Sequence, residues 1–374
     1  NIVIVTETLN IVGVRWPREP QRITWELLAM INRLVFTTFM DSVIVRGVVA
    51  PSCCFGAISA KRSSSLQLHH RVPIECFHGL STISKWNQHK HSFHKCCSGF
   101  VYEQNAGGSD SSTSATFSLI YLEGNSWLWE IDGVKILVDP ILVGNLDFGI
   151  PWLYDASKKV IKNYQLSDLP KLDLLLITQS LDDHCHLKTL VPLSQQFPDL
   201  KVLATPNATR LLDPLFKNVT YLEPGETSEV AVNNVSKIKI QATAGPVLGP
   251  PWQRPENGYL VRSSCGRTLY YEPHCVYDKE RLADERADIV ITPVIKQLLP
   301  GLTLVSGQED AVQLAKALQA KIIVAMKNGD LQGQGILSRI IRGEGTVDSF
   351  QELLIKEIPG SEVLVPTPGV PLQV

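Results

Sequence analysis

The chain has 374 residues, 44% of them hydrophobic, so a segment of roughly 250 residues could bury a substantial core. Its net charge of −2 is unevenly spread: residues 1–115 carry 11 Lys and Arg against 7 Asp and Glu, and the rest carries 24 against 30. An acidic body without a basic stripe argues against nucleic acid as a partner, and the longest uncharged runs, 47–60 and 240–253, are shorter than the ~18 residues of a membrane span.

The first 115 residues are predicted to be a leader rather than a folded domain. From Ser42 to Ile74 there is no acidic residue, while arginine and lysine recur among serines and small apolar residues. This composition is typical of an organelle transit peptide. We therefore interpret 40–103 as a chloroplast-transit-like, disordered leader starting at Met40, 104–115 as a flexible linker, and 1–39 as a candidate upstream segment included in the translation. The expected compartment is the chloroplast stroma.

Most histidines and cysteines also lie in the leader, which holds six of nine histidines and five of eight cysteines. A metal-binding tail is one interpretation, and incidental residues of a low-structure leader are the other. We favour the second, because no helical or strand periodicity persists there. The remaining cysteines, Cys185, Cys265 and Cys275, cannot all pair within one chain and form no C-x-x-C motif. Reduced thiols are expected.

From residue 116 to Val374 the pattern changes to short strands, followed by strands that alternate with helices. Asp132-Gly133 is typical of a hairpin turn, and Leu172–Thr178 is an apolar run that indicates a strand buried on both faces. The spacing predicts helices over His186–Phe197, Asn207–Phe216, Gln308–Leu318 and Val347–Ile358. Further strands are predicted over Phe117–Leu122, Trp127–Ile131, Val134–Val138, Lys201–Ala204, Val219–Leu222, Glu229–Val232, Lys237–Thr243, Gly258–Arg262, Thr268–Tyr271, Asp288–Thr292 and Ile322–Ala325.

These elements form two strand-rich halves, each accompanied by helices. The order predicts an α/β fold in which two facing mixed sheets lie between outer helices, an αββα sandwich. One domain is expected over 116–374.

Only three histidines lie in this body: His184, His186 and His274. The first two follow an apolar strand and Asp182-Asp183, and they precede a helix. Polar residues at the carboxyl end of a strand face the crevice where α/β proteins bind ligands, and carboxylate beside imidazole is a ligand set for Zn²⁺, Fe²⁺ or Mn²⁺. Alternatively, an aspartate caps the helix and the histidines are exposed. The spacing leaves both interpretations open.

At these residues the chain resembles the metallo-β-lactamase superfamily, and more closely a group of plant and cyanobacterial proteins described as metallo-hydrolase/oxidoreductase-like. Tyr121–Ser126 (Tyr-Leu-Glu-Gly-Asn-Ser) followed by Lys135–Pro140 (Lys-Ile-Leu-Val-Asp-Pro) is similar to the opening hairpin of the superfamily. Leu175–Thr178 leads into the position of its H-x-H-x-D-H signature. The resemblance covers essentially all of 116–374.

The chain departs from the signature at the first metal site. Aligned on Asp183-His184, the first signature histidine is Gln179 and the second is Leu181, and no histidine stands near Gly245-Pro246. The resemblance therefore implies that the first site is lost.

The second metal site implied by the resemblance keeps Asp183 and His184. His274 stands near the position of the bridging aspartate, and Lys327 replaces the final histidine. Asp183, His184 and His274 would form a facial set for one ion. Two alternatives stay open: a metal-free pocket in which Lys327 pairs with Asp183, or Lys327 acting as a base or Schiff-base nucleophile.

Other residues are predicted to line the same cleft. Trp252 and Arg254 lie in a loop rich in proline and glycine that suits an anionic ligand, although a plain connector is equally consistent. Asn328 in a glycine-rich stretch and Gln179 complete the predicted substrate contacts. Cys185 is expected to be buried, and His186 to lie near the site without being a ligand.

The expected function is that of a hydrolase-like protein acting on a small, anionic metabolite with at most one metal ion. Asp183 and Lys327 are the predicted catalytic residues. The alternative is a metal-free pseudoenzyme that binds a ligand or partner on the same fold.

Overall fold

The computed structural model describes residues 117–232, 236–249, 252–327 and 330–374. The predicted upstream segment (1–39), leader (40–103) and linker (104–115) lie outside these residues, as does Asn328. None of the helices within the described ranges is long and apolar enough to cross a membrane.

Strands dominate the described part of the chain, and short helices connect them. In chain order the strands are β1 (Phe117–Tyr121), β2 (Trp127–Ile131), β3 (Val134–Val138), β4 (Asp155–Ser157), β5 (Leu174–Ile177), β6 (Lys201–Ala204), β7 (Asn218–Tyr221), β8 (Thr227–Val232), β9 (Ser236–Ala244), β10 (Asn257–Arg262), β11 (Thr268–Tyr271), β12 (Ile289–Pro293), β13 (Lys296–Leu299), β14 (Leu302–Val305), β15 (Ile322–Met326), β16 (Gln332–Gln334), β17 (Arg342–Glu344), β18 (Glu362–Leu364) and β19 (Pro371–Gln373). The α-helices are α1 (Leu187–Gln196), α2 (Thr209–Leu212), α3 (Gln308–Ala317), α4 (Gly335–Ile340) and α5 (Val347–Glu357).

Two seven-stranded sheets form the centre of the domain. The first has the order β19-β1-β2-β3-β5-β6-β7, and the second has the order β18-β15-β12-β11-β10-β9-β8. Each combines antiparallel and parallel pairs: β1 to β3 are antiparallel, whereas β3, β5, β6 and β7 run parallel. Likewise β8 to β11 are antiparallel, and β11, β12, β15 and β18 run parallel.

Three apolar layers account for this arrangement. The inner faces of both sheets share one core, in which the rings of Trp129 and Tyr271 meet edge to face with centroids 5.5 Å apart. A second layer packs α1 and α2 on the first sheet, and a third packs α3 and α5 on the second. Two facing mixed sheets between outer helices confirm the predicted αββα sandwich.

The local signals that predicted the opening strands have clear structural causes. Asp132 and Gly133 both adopt positive φ, 52° and 79°, as the tight turn between β2 and β3 requires. Every residue of β5 is buried, because this central strand is covered by the second sheet on one face and by α1 on the other. The continuous apolar run in the sequence reflects this burial.

The second predicted helix is wrong in its length. Instead of a helix over Asn207–Phe216, a 3₁₀ turn at Pro206–Ala208 leads into the single turn of α2, which ends at Leu212 and is capped by Asp213. The other three predicted helices are confirmed to within one residue at either end.

Candidate metal centre

The candidate site lies where parallel strands of both sheets end. Asp139 follows β3, and residues 178–186 connect β5 to α1. In the second sheet Glu272 and His274 follow β11, and Lys327 follows β15. Carboxyl ends of parallel strands share one edge of a sheet, so these polar residues meet although they are far apart in sequence.

One group of ligand atoms converges at this edge. Asp183, His184 and His274 each offer an oxygen or nitrogen, and these atoms all lie within 4.8 Å of one another. The two imidazole rings have centroids 5.1 Å apart, although 90 positions separate the residues. His184 Nε2 lies 3.2 Å from Asp183 Oδ2. The structure therefore brings together the three residues predicted to hold an ion.

The carboxylate of Asp139 orients His184 through Nδ1, the ring nitrogen that does not face Asp183. Asp139 Oδ2 lies 2.8 Å from His184 Nδ1, and both side chains are fully buried. Asp139 also accepts hydrogen bonds from the backbone N–H of Thr178, at 2.8 Å, and from its hydroxyl. A carboxylate on one ring nitrogen leaves the other, Nε2, to face a ligand, which is the arrangement that prepares histidines for metal binding.

The charges around His184 are strongly coupled. Burial lowers the pKa of His184, but Asp183 and Asp139 outweigh it and raise that pKa to about 10. Burial raises the pKa of Asp183, but the charge and hydrogen bond of His184 outweigh it and lower that pKa. The two carboxylates therefore favour the protonated form of His184, and a cation that binds at Nε2 would have to displace its proton.

His274 is held in the opposite protonation state. Burial, and then the charge on His184, lowers its pKa to about 4. Gln179 Nε2 lies 2.6 Å from His274 Nδ1. Neutral imidazole is the form of histidine that coordinates metals.

Glu272 fixes the backbone beside His274. Its Oε2 accepts hydrogen bonds from His274 N at 3.1 Å and from Val276 N at 2.6 Å. Its side chain is fully buried, and burial raises its pKa to about 8.

Among the described residues, four buried oxygens around this centre have no hydrogen-bond donor. They are Asn125 Oδ1, Gln179 Oε1, Asp183 Oδ1 and Glu272 Oε1. Buried acceptors without donors are unfavourable unless a cation or a donor-bearing ligand meets them. With one carboxylate and two imidazoles converging beside them, the residues present fit one divalent ion.

The residues at the positions of the first metal site do not supply a second set of ligands. Gln179 faces His274 instead, and the apolar side chain of Leu181 has no metal-binding atom. Leu181 contributes its carbonyl to the turn, accepting from the N–H groups of His184 and Cys185 at 3.0 and 2.7 Å. Gly245 is paired through its backbone with Glu256.

Lys327 does not pair with Asp183, contrary to the metal-free interpretation. The ionic partner of Asp183 is His184. Within the described part of the chain Lys327 forms no ion pair, and its carbonyl accepts a hydrogen bond of 3.0 Å from the Tyr121 hydroxyl. The ammonium group of Lys327, just after β15, is therefore not paired with an acidic side chain of the described residues.

The loop predicted to line the cleft lies at the surface where it is described. The Trp252 side chain is 85% exposed, and Arg254 pairs with Glu223 at 3.2 Å on the exterior. Within the described residues, neither forms a hydrogen bond or ion pair with the three converging ligands. Asn328 lies outside the described residues.

The start of α1 contradicts the hypothesis that an aspartate caps this helix. His186 occupies the N-cap, so neither Asp182 nor Asp183 caps α1. His186 is buried rather than exposed, its Nδ1 lies 2.9 Å from the Thr189 hydroxyl, and burial lowers its pKa to about 4. Cys185 is 1% exposed, as predicted.

Sequence reasoning missed three residues of the site: Asn125, Asp139 and Glu272. Asp139 and Glu272 had a usable signal, because each directly follows an apolar strand at its carboxyl end. Asn125 lies in the turn between β1 and β2, where only the full set of contacts shows its role.

Comparison with known proteins agrees with this geometry. A family model described as a beta-lactamase superfamily domain matches residues 118–327. The chain belongs to the metallo-β-lactamase superfamily, as the signature predicted. The sequence has no significant match among curated proteins.

Several solved structures are similar to the chain. Igni18, a novel metallo hydrolase from the archaeon Ignicoccus hospitalis, is 16% identical with a TM-score of 0.48, covering 69% of this chain and 98% of its own. An isothiocyanate hydrolase from Delia radicum gut bacteria is 17% identical with a TM-score of 0.45, covering 68% and 98%. The metallo-beta-lactamase fold protein YhfI from Bacillus subtilis is 13% identical with a TM-score of 0.45, covering 70% and 99%.

Proposed function

We propose that this protein is a metal-dependent hydrolase that holds one divalent ion and acts on a small, anionic metabolite. The observation that carries the proposal is the convergence of Asp183, His184 and His274 within 4.8 Å at the carboxyl edge of two sheets. Membership of the superfamily supports the same class of protein.

The bound ion would polarise the substrate and lower the pKa of a water molecule. The chain supplies the remaining chemistry. Asp139 keeps Nε2 of His184 directed at Asp183, and Gln179 fixes the ring of His274. Asp183 and Lys327 are the proposed catalytic residues, with Lys327 as the cation available to an anionic substrate.

Of the substrate contacts predicted from the sequence, Gln179 lies at the site, whereas Trp252 and Arg254 lie on an exterior loop and Asn328 lies outside the described residues. The site itself is rich in acceptors and carboxylates, so an anion would bind there only with the help of the metal ion or Lys327. The proposed location, the chloroplast stroma, rests on the composition of the leader.

Metal analysis tests the proposal directly. Full-length protein purified without added metal should contain about one equivalent of Zn, Fe or Mn, and His184→Ala should lose it. The purified protein should also hydrolyse members of a panel of small anionic esters and lactones, with activity lost in chelator and restored by the metal. Protein that binds none of these ions would overturn the proposal.

The second candidate is a metal-free pseudoenzyme that binds a ligand or partner. Gln179, Leu181 and Lys327 favour it, because Gln179 and Leu181 replace the first two histidines of the superfamily signature and Lys327 replaces the final metal-binding histidine. Under this alternative, chelator leaves the melting temperature unchanged and no ion copurifies. Borohydride trapping with carbonyl compounds would separately detect Schiff-base chemistry at Lys327.

A further inference from the structure

Asn125 reaches into the candidate metal centre from the turn between β1 and β2. Only 6% of the residue is exposed. Its Nδ2 lies 3.0 Å from His184 Nε2 and 3.3 Å from Asp183 Oδ2, and those two atoms lie 3.2 Å apart. The end of the Asn125 carboxamide therefore forms a triangle with two of the three ligand atoms, with all sides close to 3 Å.

This triangle has the size of one face of a coordination polyhedron. Ligands about 2.0–2.2 Å from a tetrahedral ion are separated from one another by roughly 3.3–3.6 Å. Around an octahedral ion at about 2.1 Å, neighbouring ligands are roughly 3.0 Å apart. Two corners are already candidate ligands, and the third is the carboxamide of Asn125.

The two ends of this carboxamide have different chemistry. The Nδ2 end lies against Asp183 Oδ2, which accepts its hydrogen bond, and against His184 Nε2, which bears a proton in the cationic form of the ring; Oδ1 is buried and has no hydrogen-bond partner among the described residues. Rotation about the last side-chain bond exchanges the two ends, and that torsion is soft and roughly two-fold. The oxygen end is the one that can ligate a cation between His184 and Asp183.

The backbone around Asn125 is held firmly, so only its side chain needs to turn. The carbonyl of Asn125 accepts a 2.9 Å hydrogen bond from the Tyr271 hydroxyl of the second sheet. Two residues before Asn125, the Glu123 carboxylate accepts hydrogen bonds from the backbone N–H groups of Lys159, Val160 and Ile161. These contacts fix the turn relative to Asp183 and His184.

We propose that Asn125 is a fourth protein ligand of the ion, bound through Oδ1. The carboxamide turns as the cation arrives, exchanging its N–H end for its oxygen. The resulting set contains two nitrogens and two oxygens, which suits Mn²⁺ or Zn²⁺. This inference rests on the metal centre of the proposed function and extends it by one residue.

The test is a Mn²⁺ titration of full-length protein followed by electron paramagnetic resonance. Asn125→Leu keeps the approximate volume but removes the oxygen, so its Kd should rise at least about ten-fold. Asn125→Asp keeps an oxygen ligand and should bind Mn²⁺ at least as tightly as the unmodified protein. Asn218→Leu is the matched control, because Asn218 is exposed and donates only to the Asp199 carbonyl; its Kd should not change.

The outcomes separate this inference from the metal centre itself. If Asn125→Leu binds Mn²⁺ within about two-fold of the unmodified protein while His184→Ala loses binding, the centre stands and the role of Asn125 is refuted. If none of Mn²⁺, Zn²⁺ and Fe²⁺ binds the unmodified protein, the proposed function fails as well. Should Asn125→Leu not fold, a crystal structure with Mn²⁺ decides: a carboxamide atom of Asn125 about 2.0–2.3 Å from the ion supports the inference, because only the oxygen coordinates, and a carboxamide more than about 3 Å away overturns it.

Discussion

The carboxylate of Asp139 lies 2.8 Å from Nδ1 of His184, on the side of the ring opposite the nitrogen that faces Asp183. Both residues are fully buried, and they follow neighbouring parallel strands of the first sheet. The position of His184 is therefore set by the strand pairing of the fold, before any ligand binds.

We expect Asp139→Asn to weaken metal binding. The amide keeps the shape of the side chain but removes the charge that orients His184 and increases its basicity, a change that typically costs about 10–100-fold in affinity. Calorimetric titration of the purified variant with Zn²⁺ would measure the loss. Asp173→Asn serves as the control, because Asp173 accepts from Lys135 N at 2.9 Å at the start of β3. Equal affinities in both variants would contradict the orienting role.

The pH dependence of metal binding should follow His184. Since its pKa is raised to about 10, an ion must displace a proton at neutral pH, so the apparent affinity should rise from pH about 6.5 towards 10. Titrations with Zn²⁺ in a series of buffers would give the slope. An affinity that stays flat across this range would show that His184 is already neutral or is not a ligand.

The stability of metal-free protein should change in the opposite direction. A group whose pKa is raised in the folded state stabilises fully below its unfolded pKa, about 6.5 for histidine, and this stabilisation is lost as pH rises through the folded value, here about 10. Urea unfolding in chelator should therefore give a lower free energy of unfolding at pH 9 than at pH 6.5. His184→Gln should reduce this difference; an unchanged difference would assign it to other groups.

We expect Gln179→Glu to raise the pKa of His274. The substitution keeps the volume and places a carboxylate where Nε2 now lies 2.6 Å from His274 Nδ1. Nuclear magnetic resonance of the imidazole would show titration at a pH well above about 4, the value to which burial now lowers this pKa. His186, whose pKa is also lowered to about 4, provides an internal reference that should not move.

The core between the sheets should depend on Trp129. This side chain is fully buried against Tyr271, so Trp129→Ala should lower the free energy of unfolding by about 3–5 kcal/mol. Trp252→Ala removes an equally large ring that is 85% exposed, and its effect should stay within about 0.5 kcal/mol. Chemical denaturation of the two variants side by side would test the contrast.

Local sequence patterns were sufficient to predict the elements that bury one continuous apolar face. The turn at Asp132-Gly133, the apolar run around β5 and the spacing of α1 each follow from nearest neighbours in the chain. By contrast, β4 and β16 are three residues each and pair with one another across about two thirds of the domain's sequence. Nothing in either segment alone favours extended structure, because their strand character comes from the partner.

The residues of the candidate site were likewise predicted only in part. Asp183 and His184 stand in a recognisable signature, and His274 could be aligned to a known position. The contact of Gln179 with His274 could not be inferred, because it depends on how the two sheets meet, and the position of Asn125 depends on how the turn between β1 and β2 meets the segment after β5. The exposed positions of Trp252 and Arg254 likewise depend on the path of a loop, which composition does not fix.

Asp183 and His184 belong to the first half of the domain, and His274 belongs to the second. An ion held by all three would therefore link the two halves of the domain, and neither half alone would bind it in the same way. Saturating metal should therefore raise the melting temperature by mass action. By the same linkage, a substitution that disrupts the packing between the two sheets should weaken metal binding.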